Sequence, residues 1–482
     1  MKKSVLYTLL LGGLFASTSC SDFTDLQPKG MNLLSTTSQL EMLLNAEYDM
    51  WCSDMFMMCG DMLYTFENVP NMISNPTKTR TAIILTWDET QQDNMAQLTS
   101  SDSDYTDFYG IIGTIANPIL SRIDEAEGEE SVKKQLRCEA LVLRAYFHYL
   151  LVNKFAKAYN PATAAEAPGI PYMTEDLDIT AAVEKATVQQ VYDHILADAQ
   201  EAIDLDALPV TAVNCMRVNK ACAYAVKALA LLSMQQYEEA ETAANQALAL
   251  NPAVDDYNTM QTTTTGSVIG NTYEIILRPR LECVEDLFYT PRTELLDAIT
   301  PYAWNLFEDG HVCRDKMATA GMMYDYMMDY GEMMIGLSGY EFTMDMNSGW
   351  NGAGMKTTHM YLIVAEAEIH KGNYTAAMAA LDKIRVNRIA PEVYEPLEGR
   401  VTAEADAIAR LKQTSHGENI YSVWNFINRK RWNQVSGWEE TFTHDFNGQV
   451  FTLTPESPMW IFPFPNDAVS MNPNLTQNYK TE

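Results

Sequence analysis

The chain has 482 residues, 47% of them apolar and 20% charged, with 33 basic against 64 acidic side chains for a net charge of −31. A field of that sign repels nucleic acid and other polyanions and leaves neutral or cationic ligands as the permitted classes. The length exceeds what one small core organises, which predicts a compound domain.

The first 19 residues read as a leader. Lys2 and Lys3 form a positive n-region, residues 5–16 an apolar stretch, and Ser17, Thr18 and Ser19 a small-residue cleavage site directly before Cys20. The apolar stretch falls short of the roughly 20 residues that span a bilayer. Small residues followed by cysteine read as a lipoprotein signal, predicting cleavage before Cys20 and acylation of that residue. Several acyl chains exceed the two signals that stable anchoring takes. Without the two leader lysines the net charge becomes −33. The remaining seven cysteines form no CxxC pair. They predict buried thiols rather than a zinc site, and no metal or cofactor is expected.

The first helix is expected over residues 35–50, with Ser38 and Glu41 at capping-box spacing. Residues 51–104 lose the helical period and predict an irregular insertion with one short strand at 82–86. Helical patterns return at 105–125 and 132–155, and a further helix opens at Thr187 with Gln190 three residues on. Segments 216–252 and 357–390 share a spacing. Tyr224 and Tyr361 each precede a second tyrosine, Tyr237 and Tyr374, by thirteen residues, and Ala228/Ala240 match Ala365/Ala377. Each segment reads as two helices around a short turn, with alanines at the crossing and the tyrosine in the gap. Between them, residues 253–356 are aperiodic. The expected fold is therefore mostly α: a tetratricopeptide-like scaffold of helical pairs, whose long insertions near 51–104 and 253–356 form the ligand face. Its domain is expected to span residues 20–482.

Several stretches resemble the SusD/RagB family of surface nutrient-capture lipoproteins. "CSDFTDLQP" is similar to the family's mature start. "RCEALVLRAYFHYLL" is similar to its arginine-rich helix through Arg137, Glu139, Ala140, Leu143, Arg144 and Ala145. "MYLIVAEAEIHKGNYTAAMAALDKIRVNR" is similar to its late repeat through Ala365, Glu366, Ala367, Leu381, Ile384 and Arg385, and "MWIFPFPNDAVSMNPNLTQNY" to its ending. The resemblance implies a non-enzymatic outer-membrane lipoprotein facing the cell exterior, anchored through Cys20. It also implies a SusC-like TonB-dependent β-barrel transporter as partner and an oligosaccharide ligand. Peptide capture is the alternative within the same architecture, and a surface glycoside hydrolase is the competing class.

Sugar rings stack on exposed aromatic faces beside hydrogen-bonding neighbours. That chemistry selects Trp350, Trp304, Trp87 and Tyr289, with Asn351 and Asn305 as polar partners. Trp350 leads because Gly349 and Gly352 let something approach its backbone. Core packing is the competing reading for each of these rings, and for the Met-rich stretch 321–334. Arg137 and Arg144 share a helical face and are expected to pair with carboxylates. No HExxH, GxSxG or glycine-rich phosphate loop occurs, so no catalytic residue is expected.

Overall fold

The structure, a computed structural model, describes residues 34–479 apart from 51, 64–66, 178–180, 261, 267–271, 277, 292–296, 318–330, 344–348 and 421. The leader, Cys20, and most of the Met-rich stretch lie outside the described residues.

Helix α1, Thr37–Leu43, is shorter than the expected 35–50, and its cap lies two residues upstream of Ser38. Thr36, not Ser38, is the N-cap, and its side chain and that of Gln39 satisfy each other's backbone N–H. Both pairs have the right spacing, and the upstream pair captures the helix. The early insertion is mostly a set of short helices, Ser53–Met58, Val69–Ser74, Arg80–Thr86 and Gln92–Leu98, with a two-residue strand at Met62–Leu63. The expected strand at 82–86 is the third of these. Thr79 caps it by accepting from the Ala82 N–H, and Ala82, Ile83, Ile84 and Leu85 are all buried. A short apolar run buried on all sides carries no period to read, so the cap decides.

Helix α2, Ser103–Ile111, continues through a π-turn at Ile112–Ala116 into Asn117–Arg122. It packs on α3, Glu130–Phe155, the central helix, which is buried almost throughout its second half. From there the helices stack serially. α3 packs on α4, Val188–Leu205, which packs on α5, Lys220–Ser233, and that on α6, Tyr237–Leu250. α6 packs on α7, Thr357–His370, which packs on α8, Tyr374–Arg385, and α8 on α9, Glu404–Glu418. The mostly-α architecture is as expected, and the helical pairs stand where the repeat spacing put them. α4 opens with the expected Thr187/Gln190 capping box.

The crossings are built from alanine. Ala228, Ala240, Ala365 and Ala377 are fully buried, which lets helix backbones close in on one another. Tyr224, Tyr237, Tyr361 and Tyr374 are only half-buried. The close approach leaves no gap for a ring, so the tyrosines move to the margin, where Tyr237 stacks on His370 with centroids 3.7 Å apart.

Between α6 and α7 the chain leaves for residues 251–356 and returns to the same place. Short strands tie this central insertion to the early one: Asp297–Ile299 pairs with both Met62–Leu63 and Glu341–Thr343, all antiparallel. A buried lattice of ions ties it to the scaffold. Arg388 donates to Glu418 (2.8 Å) and Glu285 (2.7 Å), Arg278 donates to Asp286 (2.7 Å), and Lys356 pairs with Glu418. Three cations face three carboxylates, so none of these charges is left unpaired in the interior. The expected ion pairs of the arginine-rich helix also form: Arg144 grips Asp198 through two bonds of 2.7 and 2.8 Å, and Arg137 meets Glu201 at 2.8 Å.

After α9 come α10, Trp424–Trp432, a hairpin of Phe442–Phe446 with Gln449–Leu453, and a last short helix, Asn466–Met471. Asn447 and Gly448 turn the hairpin, both at positive φ.

Candidate functional site

A cleft of about 1160 Å³ opens between three walls. One wall is the tip of the central insertion, residues 302–309, which begins within the short helix Pro301–Trp304. The second is a strap, residues 386–401, joining α8 to α9. The third is α9 itself, and Arg429 and Trp432 of α10 close the floor. Ligand pockets for small molecules run to roughly 1,000 Å³, so this one has room for a chain of linked units.

Thr300 caps the short helix by accepting from the Ala303 N–H, with Pro301 at the first position, where its missing N–H costs nothing. That helix presents Tyr302 and Asn305 to the cleft. The Tyr302 hydroxyl donates to Glu440 (3.3 Å), and Asn305 is exposed with its amide free for donors and acceptors. Lys412 donates to the Trp438 carbonyl (2.7 Å) and stands 3.4 Å from Glu440.

The floor is rigid. Arg429 donates to Asp61 (2.7 Å) and to His416 Nδ1 (3.0 Å), and its guanidinium lies over the Phe442 and Tyr302 rings. His416 in turn donates from Nε2 to the Ala303 carbonyl (3.0 Å). With one ring nitrogen accepting and the other donating, the imidazole is held neutral. Burial is the main cause that pulls its pKa down to about 4, against the pull of Asp61.

The cleft carries charges of both signs, and most are engaged. Arg385 pairs with Glu308, Arg400 with Glu395, Lys412 with Glu440 and Arg429 with Asp61. A wall of ion pairs offers hydrogen-bond donors and acceptors without a strong net field, unlike the acidic chain as a whole. Nothing here has the arrangement of a nucleophile and base, and among the described residues no cluster of three metal-ligating side chains occurs.

The residues expected from sequence divide in two. Trp304 and Asn305 stand at the cleft: Asn305 lines it and Trp304, half-buried, packs edge-on to Phe307 beside it. The other four are interior and form no stacking platform. Trp87 is 3% exposed, donates to the Met58 carbonyl (2.9 Å) and stacks on His444 at 4.1 Å. Tyr289 is 1% exposed. Trp350 is 8% exposed, and the glycine before it admits protein rather than ligand: a Cβ on Gly349 would meet the Arg278 carbonyl at 2.5 Å. Asn351 spends its amide inside, accepting from Thr290 and Gly354 and donating to Asp286 and Phe288. Asp88, beside Trp87, caps a short 3₁₀ turn. Sequence reasoning missed the strap and the floor. Their one signal was the aromatic and basic run "WNFINRKRW".

Residues 22–232 match a SusD-like family model described as starch-binding and associating with the outer membrane. Among solved structures, a SusD superfamily protein from Bacteroides thetaiotaomicron VPI-5482 aligns with a TM-score of 0.61 at 15% identity, over 92% of this chain and 100% of its own. A SusD-like carbohydrate binding protein from Bacteroides vulgatus ATCC 8482 gives 0.59 at 17% identity, over 93% and 99%. A SusD superfamily protein from Bacteroides fragilis gives 0.62 at 14%, over 92% and 100%. At such identities the likeness is one of fold. Comparison with curated proteins gives no significant match.

Proposed function

We propose, from the SusD-like family match over residues 22–232 and the fold shared with SusD superfamily structures, that the chain is a cell-surface lipoprotein that captures oligosaccharide in the cleft and passes it to a TonB-dependent transporter. The observation that carries the reading is the cleft itself. It is large enough for several sugar units, lined by Tyr302, Asn305 and Trp432, and walled by ion pairs that present donors and acceptors to hydroxyls. Its work is binding, with no catalytic step. Anchoring through Cys20 would hold it at the outer membrane, facing outward, and the barrel partner would take up what it releases.

Peptide capture is the second reading, and the −33 charge of the mature chain favours it for cationic peptides. A glycan and peptide array run beside a reducing-sugar release assay decides among these. The proposal expects glycan hits without sugar release, and a loss of about fivefold in affinity for Asn305→Ala, the worth of one hydrogen bond at ~1 kcal/mol. Hits confined to basic peptides would replace it with the second reading, and released sugar would make the protein a hydrolase.

A further inference from the structure

The cleft's two walls, tip and strap, are not parts of one element, and their separation must be set by something. Their backbones meet at one edge, around Gly310 and Ala390. There Ala390 donates to the Gly310 carbonyl (2.8 Å) and Val312 to the Arg388 carbonyl (2.8 Å). Val393 fills the space above Gly310, where a Cβ would lie 2.2 Å from the valine methyl.

One side chain reaches both walls and the scaffold at once. Arg385, the last residue of α8, is 5% exposed. Its Nε and Nη2 grip Glu308 on the tip at 2.9 and 2.7 Å. Its Nη1 donates to the Glu395 carbonyl on the strap (3.0 Å) and also meets Asp382 on its own helix. Asp382 holds the strap a second time, accepting from the backbone N–H groups of Leu397 (2.7 Å) and Glu398 (2.9 Å). A planar guanidinium with a fixed fork of donors is suited to bind three partners in a set geometry, which an ammonium on a flexible stem is not.

We infer that Arg385 is the positioning residue of the cleft: by fixing tip and strap to the end of α8, it sets the gape between them and hence which ligands fit. This rests on the cleft being the ligand site proposed above. Without the latch, the tip would be held beyond the short helix Pro301–Trp304 by the Gly310 edge and the Gln413 bond to the Leu306 carbonyl (3.3 Å). The strap would be held by Arg388 at its start and the Asp382 bonds further on. Precise spacing of the polar groups on the two walls would be lost, while the helical stack beneath would not change.

The test uses the full-length protein and three variants: Arg385→Lys, Arg385→Met and Glu308→Gln. Lysine keeps a positive charge opposite Glu308 but lacks the planar fork that fixes Glu308, Glu395 and Asp382 in one geometry, so it should recover thermal stability while leaving the gape unset. Hydrogen exchange followed by mass spectrometry is expected to show segments 301–312 and 390–401 exchanging about tenfold faster in all three variants, with α3 to α7 unchanged, as for a local opening. On a glycan array, the wild-type hits should weaken by about tenfold or more in Arg385→Lys, with preference among chain lengths altered. Unchanged protection of both segments would overturn the inference, as would faster exchange across the whole chain or an unaltered glycan profile. A wild-type protein that binds no glycan sinks the functional proposal instead, and the exchange data still decide the latch.

Discussion

Acidification should unfold this protein through its histidines. Of seven in the chain, His148, His311, His359, His416 and His444 are buried. Burial holds the first three at a pKa of about 3 and the last two at about 4. In the unfolded chain each takes a proton near 6.5. Between those values the unfolded state binds more protons than the folded state, so stability falls as pH falls. Each histidine contributes about 1.4 kcal/mol per pH unit over that window, so the five together reach about 7 kcal/mol per unit below pH 6. From pH 7 to pH 5 the loss sums to about 9 kcal/mol, comparable with the whole 5–15 kcal/mol of a typical domain. Asp107, lifted to about 6 chiefly by burial, works in the opposite direction. So do Asp49, Asp104, Glu241, Asp255 and Asp286, whose carboxyls burial also raises, and together they offset part of the histidine loss. The assay is urea unfolding followed by circular dichroism at half-unit steps from pH 7.5 to 4.5, with proton NMR of the imidazole Cε1–H signals under native conditions. The midpoint should fall steeply below pH 6.5, while five imidazoles stay neutral until the protein unfolds. Imidazoles titrating between 6 and 7 in folded protein, or a midpoint flat to pH 5, would refute the reasoning.

Trp350→Ala should cost about 3–5 kcal/mol, the range for a large buried aromatic, read as a lower denaturant midpoint. A fully stable variant with weakened glycan binding would instead restore Trp350 as a ligand platform. Lys430 donates only to the carbonyls of Asn153 and Ala156, and burial lowers its pKa to about 7. Its unfolded counterpart stays protonated to about 10.4, so from pH 7 to 8 wild type should gain about 1 kcal/mol relative to Lys430→Met. Parallel unfolding midpoints for the two proteins across that step would contradict the assignment. Cys20→Ala should release the protein from the outer-membrane fraction or leave its leader uncleaved. An acylated, membrane-bound variant would remove the lipoprotein proposal.

The scaffold was legible because its physics is local. Ala228, Ala240, Ala365 and Ala377 recur at helix-crossing spacing, and Thr187 with Gln190 announces the start of α4. Arg144 of α3 finds a carboxylate because a buried guanidinium must. The site was much less so. Glycines beside Trp350 signalled a close approach, but sequence cannot say whether ligand or chain approaches, and here it is the Arg278 backbone. The cleft draws on residues near 305, 390, 410 and 430, which no local pattern joins. Its Arg385, Glu308 and Lys412 look like ordinary surface charges until the fold sets them face to face. Asn305 was found because it follows an aromatic residue in a turn.

The return of the chain after residue 356 to the place it left at 250 makes the central insertion exchangeable. Tyr361 donates to the Pro252 carbonyl (2.9 Å) and Thr357 binds that of Ala253, so the two ends are stitched side by side on helices that already pack together. Closing a longer excursion from such a base costs only about 0.6 kcal/mol for each doubling of its length. Selection can therefore lengthen, shorten or replace the segment that shapes the tip while the helical stack beneath keeps its register. The freedom has one condition. Arg388 and Glu418 stay behind in the scaffold, buried and charged, and any replacement must bring counterparts for them where Glu285 and Lys356 now stand.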